Sequence, residues 1–399
     1  MLENNKNIEG NIETKPNRRY DIDALRVYSV ILLIIFHTAM LFAYGTPYFI
    51  QNAELSVEML IFVFIVNIFN MSLFFLIAGM STSYSLNFRT GTEYLKERVK
   101  RLIIPLIFGI LIVIPPIVYF ERLAWWSTTR YNSENFNGTF IEFYPHFFEI
   151  GNFNYDHLWF LAYLFIFSLV ALRLFLRWKK DEGKQKISSI AEKYGKGKKI
   201  FLLALPLILF NVSLRWIFPG ISKLFIDDLA NVLSYLTIFI LGFLIVSDSR
   251  FENSIDRNKK VALILAIITS FIVIIFLGPG YDPFGNPVGY AIYWTSFSFS
   301  GWCWLIAIYG YGKRLLTKKN SIISYLSKIA LPMYIIHLTV IIIIAFYVLQ
   351  WEASIAVKFL VIFSSSLFIT ILLCELIKTN NVTRFIFGMR PKMKKREVN

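Results

Sequence analysis

In the stretch DALRVYSVILLIIFHTAML, Arg26 and His37 are the two side chains that could do chemistry in an otherwise apolar run. Ionisable groups inside a membrane segment are rare, and those present pair, bind or react. Eleven residues separate the two. At about 100° per residue this is nearly three turns, so both lie on one helix face, roughly 16 Å apart along the axis. That face offers a cation near one mouth of the span and an imidazole in its interior. Imidazole accepts a proton close to neutral pH, so His37 is the candidate general base or nucleophile. A buried histidine bonded to a neighbouring helix, with a snorkelling arginine, would explain the same residues as packing.

The chain has only four histidines. His337, in LPMYIIHLTV, lies at a depth similar to His37, with Tyr334 one helical turn before it. Asn67 and Asn70 in the second apolar run fall near the same level, so His37, His337 and these amides are expected to form one polar layer. His157, in DHLWFLAYLF, opens the fourth run at the outer face, where it would either touch a substrate or start a helix in an aromatic interface. His146 lies in a long loop and carries no signal of its own. In YLKERVKRLIIPLIFG, Arg98 and Arg101 are three apart on one face at the inner end of the third run. Guanidinium forks grip phosphate by paired hydrogen bonds, so with Arg26 they are expected to hold a phosphorylated ligand; positive-inside anchoring is the rival reading.

The elements that must position these groups follow from composition. The 399 residues are 56% hydrophobic and 17% charged, the balance of a polytopic membrane protein. Ten runs are long enough to span, at about 24–44, 57–79, 102–120, 157–177, 200–219, 229–247, 261–278, 291–311, 326–348 and 354–377. The expected fold is an all-α integral membrane bundle of about ten transmembrane helices. Of 41 Lys and Arg, 35 lie in the two tails and alternate loops. The other set of loops and span ends has only Arg122, Arg130, Arg215, Lys223 and Lys358. This asymmetry puts both termini in the cytoplasm. The net charge of +15 is thus an orientation signal with some affinity for anionic lipid, and no nucleic-acid partner is expected. The domains are a cytoplasmic tail over 1–23, a transmembrane domain over 24–377 and a basic cytoplasmic tail over 378–399. The first run is read as a retained helix rather than a signal peptide.

Cys303 and Cys374 both lie in apolar runs, and no disulfide or thiolate metal site is expected. Glu375 is the one carboxylate placed inside a span, so the paired carboxylates of many ion-coupled carriers are missing. HExxH, Walker, GxGxxG and GxSxG motifs are absent too, which leaves histidine chemistry. The outer loop over 121–156 mixes acids with Trp125, Trp126, Tyr131, Phe136, Phe140, Phe143 and Tyr144. Aromatic faces flanked by polar groups suit sugar rings, and they equally form an interfacial belt.

An arginine, ten intervening residues and a histidine in the first span resemble the signature of the acyltransferase 3 family of membrane O-acyltransferases. Arg98 and Arg101 match that family's second motif, and SLFFLIAGMSTSYSL is similar to its segment after the second span. HLWFL and LPMYIIH resemble a subgroup that includes the glucan biosynthesis protein C succinyltransferases. The resemblance covers about residues 20–377. It implies transfer of an acyl group, acetyl or succinyl, from cytoplasmic acyl-CoA to a hydroxyl of an extracytoplasmic carbohydrate. His37 would then be catalytic, as base or acyl carrier. Arg26, Arg98 and Arg101 would hold the coenzyme A phosphates, and His157, Tyr334, His337 and Asn70 would lie toward the acceptor. Acyl-CoA enters as a substrate, with no permanently bound cofactor, in a multi-pass bacterial plasma-membrane protein. The rivals are a glycan or lipid transporter, and a sensor or structural protein.

The orientation has a direct check. In a variant lacking Cys303 and Cys374, single cysteines placed within 173–199 or after 378 should react with an impermeant thiol reagent only from the cytoplasmic side. Labelling from outside reverses the assignment.

Overall fold

A computed structural model of the chain describes residues 18–124, 126, 135–149, 153–218, 228–276 and 285–392. Trp125, Arg130, Tyr131, Glu134 and Lys223 lie outside the described residues.

Eleven longer helices are α1 Tyr20–Met40, α2 Val57–Ser85, α3 Gly91–Leu123, α4 Asp156–Trp178, α5 Asp181–Tyr194, α6 Lys199–Leu214, α7 Leu229–Ser247, α8 Ser249–Ile275, α9 Pro287–Leu315, α10 Ser321–Val348 and α11 Ile355–Thr379. Among the described residues the only β pairing is one isolated bridge, Ala43 with Ser56. The chain is an all-α multi-pass membrane protein. Eight helices are long and apolar enough to cross a membrane, or nine if α5 and α6, bent by 114°, make one span. That is fewer than the ten runs of the sequence, for two reasons. The 200–219 run becomes α6, which opens as a 3-10 segment over Lys199–Ala204 and stops at Leu214. The 291–311 run becomes the 29-residue α9, long enough to span but diluted by Ser, Gly, Tyr and Trp. Exposed Leu169, Val170, Ile267, Phe271, Phe368 and Leu372 give the outside of the bundle an apolar surface suited to lipid.

Local sequence sets the helix starts. Ser56, Asn320 and Ser354 cap α2, α10 and α11 by accepting from backbone N–H groups, and Thr90 with Glu93 forms a capping box at α3. Within α3 the turns over Val99–Ile103 and Gly109–Val113 are π-helical. Pro105 and Pro115 follow them, and a proline ring that crowds the preceding turn and donates no N–H favours such a bulge. Arg101 therefore sits on a widened turn rather than on the regular helix its spacing from Arg98 implies.

The described ends of the chain meet at one end of the bundle. Arg18 donates to Ser327 Oγ at the start of α10 (3.1 Å), and Arg101 Nε donates to the Gly388 carbonyl (3.2 Å). At that same end Arg19 binds Asp21, Glu252, Tyr84 and Tyr309, tying α1, α2, α8 and α9 together. Deeper in, α2 and α7 cross at glycines. A Cβ at Gly79 would fall 2.0 Å from the Phe239 carbonyl oxygen, and one at Gly242 2.2 Å from that of Leu76. Small residues at membrane helix crossings let backbones approach this closely. Gly79→Ala and Gly242→Ala are each expected to force the helices apart, costing about 1–3 kcal/mol. A thermal unfolding midpoint in detergent equal to the parent's would refute the close crossing.

Candidate active site

His37, in the last turn of α1, has its ring 5.2 Å from that of His337 on α10, centroid to centroid. The His157 ring is also 5.2 Å from that of His337. Three of the four histidines thus cluster around His337, contributed by three helices. His146 is elsewhere, exposed and paired with Glu149 at 2.5 Å.

Backbone carbonyls set two of these rings. His337 Nδ1 lies 2.6 Å from the Tyr334 carbonyl oxygen, and His157 Nε2 lies 2.8 Å from that of Ile335. A carbonyl only accepts, so each of those nitrogens carries the proton. The other nitrogen of His337, Nε2, is completely buried and has no hydrogen-bond partner among the described residues. Buried polar atoms are nearly always paired, so an unpaired one needs a reason, and a substrate group is one such reason.

Asp156, His157 and Leu158, which open α4, are all buried within the protein. The start of α4 is drawn into the bundle. Tyr334 donates to the His157 carbonyl while His157 bonds the Ile335 carbonyl, so the two elements are laced through backbone atoms. That lacing depends on tertiary contact, which the local sequence does not encode.

The expected polar layer divides. Phe74 packs its ring against Tyr334 (6.4 Å), and Asn70 sits one turn along α2 on the same face. Asn70 is buried, and neither its Oδ1 nor its Nδ2 has a partner among the described residues. Asn67 instead lines a separate cleft with Asn211, Asn231 and Ser298. Beside that cleft, Arg215 bonds Asn211, Asn231 and Asp228. Burial raises the pKa of the Asp228 carboxyl, against the opposite pull of Asn231 and Arg215.

One residue absent from the sequence reading completes the layer. Tyr48 Oη lies 2.7 Å from His37 Nδ1. Tyr48 belongs to the loop after α1, where the apolar triplet Tyr48-Phe49-Ile50 was the available signal that this loop turns inward.

At the other end of the same α1 face, Arg26 donates to Asp23 (3.1 Å) and Ser81 (2.8 Å). Arg98 lies within Coulombic reach of both Arg26 and Arg101. The Arg98 guanidinium stacks over the Tyr94 ring at 4.6 Å, and its Nε is buried without a partner among the described residues. Arg101 approaches Glu97 at 3.4 Å. Asp23 is thus shared by Arg18 and Arg26, and Glu97 by Arg89 and Arg101, while no carboxylate pairs with Arg98 among the described residues, so guanidiniums outnumber carboxylates here. In the outer loop, Phe136, Phe140 and Phe143 pack edge-on or tilted around Tyr119 rather than forming an open platform.

Comparison with known proteins places the chain in a family. Residues 19–378 match the family model described as an acyltransferase domain. The glucans biosynthesis protein C of Escherichia coli strain SMS-3-5 is 24% identical over 390 residues, spanning 95% of this chain and 96% of the relative. The protein of that name from strain K12 is 23% identical with the same coverage. No solved structure matches.

Asn70 provides a test that separates folding from function. Removing a buried polar group that lacks partners costs the fold little, since its desolvation is already uncompensated. Asn70→Leu should keep or raise the unfolding midpoint while lowering acyl transfer at least ~10-fold, the loss of one charge-free hydrogen-bonding group in a buried site. A variant that unfolds early would show instead that Asn70 is part of the packing.

Proposed function

The chain belongs to this acyltransferase family, and on that premise we propose that it moves an acyl group from cytoplasmic acyl-CoA to a hydroxyl of an extracytoplasmic carbohydrate. The observation that carries the reading is one α1 face with the arginine group at one end and His37, beside His337, at the other. The reaction is placed in class 2.3.1, with acetyl or succinyl as the acyl group, in a bacterial plasma membrane. The relatives' name refers to glucans, so a glucan hydroxyl is the acceptor class proposed.

In this reading Arg26, Arg98 and Arg101 hold the phosphates of the donor. Roughly 16 Å of helix then separates them from His37, a span that the extended thiol arm of coenzyme A would thread. His37 accepts the proton of the acceptor hydroxyl as its oxygen attacks the thioester carbonyl carbon. The carbon–sulfur bond breaks, and the proton passes from the imidazolium to the departing sulfur. Ester and free thiol result, with no oxidant or metal required. Asn70 and the unpaired Nε2 of His337 would meet acceptor or thioester oxygens, the first as donor and the second accepting a hydroxyl proton. Tyr334 and His157 hold that region in place through their mutual backbone bonds.

Acyl transfer from radiolabelled acetyl- or succinyl-CoA to a glucan should fall at least ~100-fold in His37→Ala, the usual contribution of a positioned base. Arg98→Gln should mainly raise the donor KM. Undiminished transfer in a correctly inserted His37→Ala protein would remove the catalytic assignment. Glycan movement that needs no acyl-CoA and survives this substitution would support a transporter.

A further inference from the structure

Beyond α11 the described chain folds back on itself, at the end of the bundle that carries the arginines. Asn380 caps a short helix over Asn381–Ile386 by accepting from the Val382 N–H (2.7 Å), and Thr383 Oγ1 donates to the Ile377 carbonyl (2.7 Å). The residues after that helix close a hook. Met389 N–H donates to the Arg384 carbonyl (2.7 Å), Arg384 Nε donates to the Arg390 carbonyl (2.8 Å), and Lys392 N–H donates to Asn381 Oδ1 (3.0 Å). The tip of the hook seats on α3. Gly388 is buried at φ +67°, and its carbonyl accepts from Arg101 Nε (3.2 Å). A Cβ there would fall 3.0 Å from both the Arg101 carbonyl oxygen and Pro105 Cγ. A side chain at this position would be strained by its φ and would push the hook off α3.

A hook held for structure alone would gain from an acid facing Arg101. Over 379–392 the chain has Arg384, Arg390 and Lys392 and no acid. Arg384 Nε and Lys392 Nζ bond backbone carbonyls, those of Arg390 and Thr379. The Arg390 side chain is exposed and makes no hydrogen bond or ion pair among the described residues. It stands two residues from the Gly388 contact and within Coulombic reach of Arg101, whose other guanidinium neighbours are Arg98 and Arg26. The buried Nε of Arg98 has no partner among the described residues. Like charges held together by backbone bonds, with too few carboxylates between them, form an arrangement that an anion relieves.

We propose that Arg390 is a fourth guanidinium of the site formed by Arg26, Arg98 and Arg101, and that it takes the outermost phosphate of the donor, the ribose 3′-phosphate of coenzyme A. This rests on the assignment of the other three arginines to the donor's phosphates. The order follows from exposure. In coenzyme A the thiol arm leaves from the pyrophosphate, and the ribose phosphate lies at the opposite end. With the arm directed along α1 toward His37, the pyrophosphate meets the deeper guanidiniums and the ribose phosphate meets the exposed one. A guanidinium gives such a phosphate paired N–H donors, which hold it where a bare surface charge would be screened. The hook is then a wall of the donor site, and the basic tail does more than set orientation.

The test is isothermal titration of the full chain, in phosphatidylcholine nanodiscs, with coenzyme A and with its analogue lacking the ribose 3′-phosphate. Arg390→Gln leaves the backbone bonds of the hook in place. It should raise the Kd for coenzyme A about 5-fold, the effect of one well-placed exposed ion pair, and leave the Kd for the analogue unchanged. Gly388→Val should give the same loss by unseating the hook, and the double variant should lose no more than either alone, because the two act in series. A Kd for coenzyme A unchanged in Arg390→Gln overturns the proposal. So does an equal loss with both ligands, and so does wild-type binding in Gly388→Val. Arg98→Gln separates the hook from the site it joins. If Arg98→Gln weakens coenzyme A binding and Arg390→Gln does not, only the assignment of Arg390 fails; if neither weakens it, the reading of the arginines as the donor site fails as well. Should Arg390→Gln matter only in nanodiscs that contain phosphatidylglycerol, the phosphate it meets is a lipid headgroup's, and the proposal is overturned.

Discussion

An imidazole inside an apolar bundle has no bulk water to answer it, so the protein must supply every partner, and the architecture around His37 follows from that constraint. Tyr48 meets one ring nitrogen, and His337 stands against the ring face. To bring these two there, a loop must turn inward and α10 must present its middle turns to the end of α1. To fix His337 in turn, the Tyr334 carbonyl occupies its Nδ1, and the start of α4 sinks into the bundle beside it. The deepest part of the fold is thus organised by polar contacts, and the aliphatic residues fill what those contacts leave.

Charge organises the opposite end. Arg19 ties four helices through Asp21, Glu252, Tyr84 and Tyr309, and its guanidinium is matched by carboxylates on both sides. The neighbouring Arg26, Arg98 and Arg101 are less well answered: Asp23 is shared by Arg18 and Arg26, Glu97 by Arg89 and Arg101, and the buried Nε of Arg98 has no partner among the described residues. The contrast separates two roles for arginine within one layer. One set is satisfied and structural, while the other is the set proposed to hold the donor's phosphates.

Much of this was legible in the residues. Long apolar runs gave the bundle, and the eleven-residue spacing put Arg26 and His37 on one face because helix geometry alone decides it. Local patterning could not show that the fourth run begins inside the bundle, since His157 is placed by bonds to Tyr334 and Ile335, about 178 residues away in sequence. The same holds for Tyr48, whose partner is set by how a loop folds back. It holds also for Asn67 and Asn70: three residues apart, they face different surroundings, one a cleft with Asn211 and the other the Phe74–Tyr334 contact. The span count differed at α6, which opens as a 3-10 segment, stops early and bends against α5, and at α9, where Ser, Gly, Tyr and Trp dilute the apolar run.

The central claim is that the acyl group passes from one face of the membrane to the other along α1. Its most direct measurement is transfer across sealed proteoliposomes in which the termini of every scored molecule face outward. Radiolabelled acyl-CoA is supplied only outside and glucan only within the lumen. The account predicts ester label on the enclosed glucan, with free coenzyme A released outside and no donor entering the lumen. Label that appears only when donor and glucan share one compartment would contradict it.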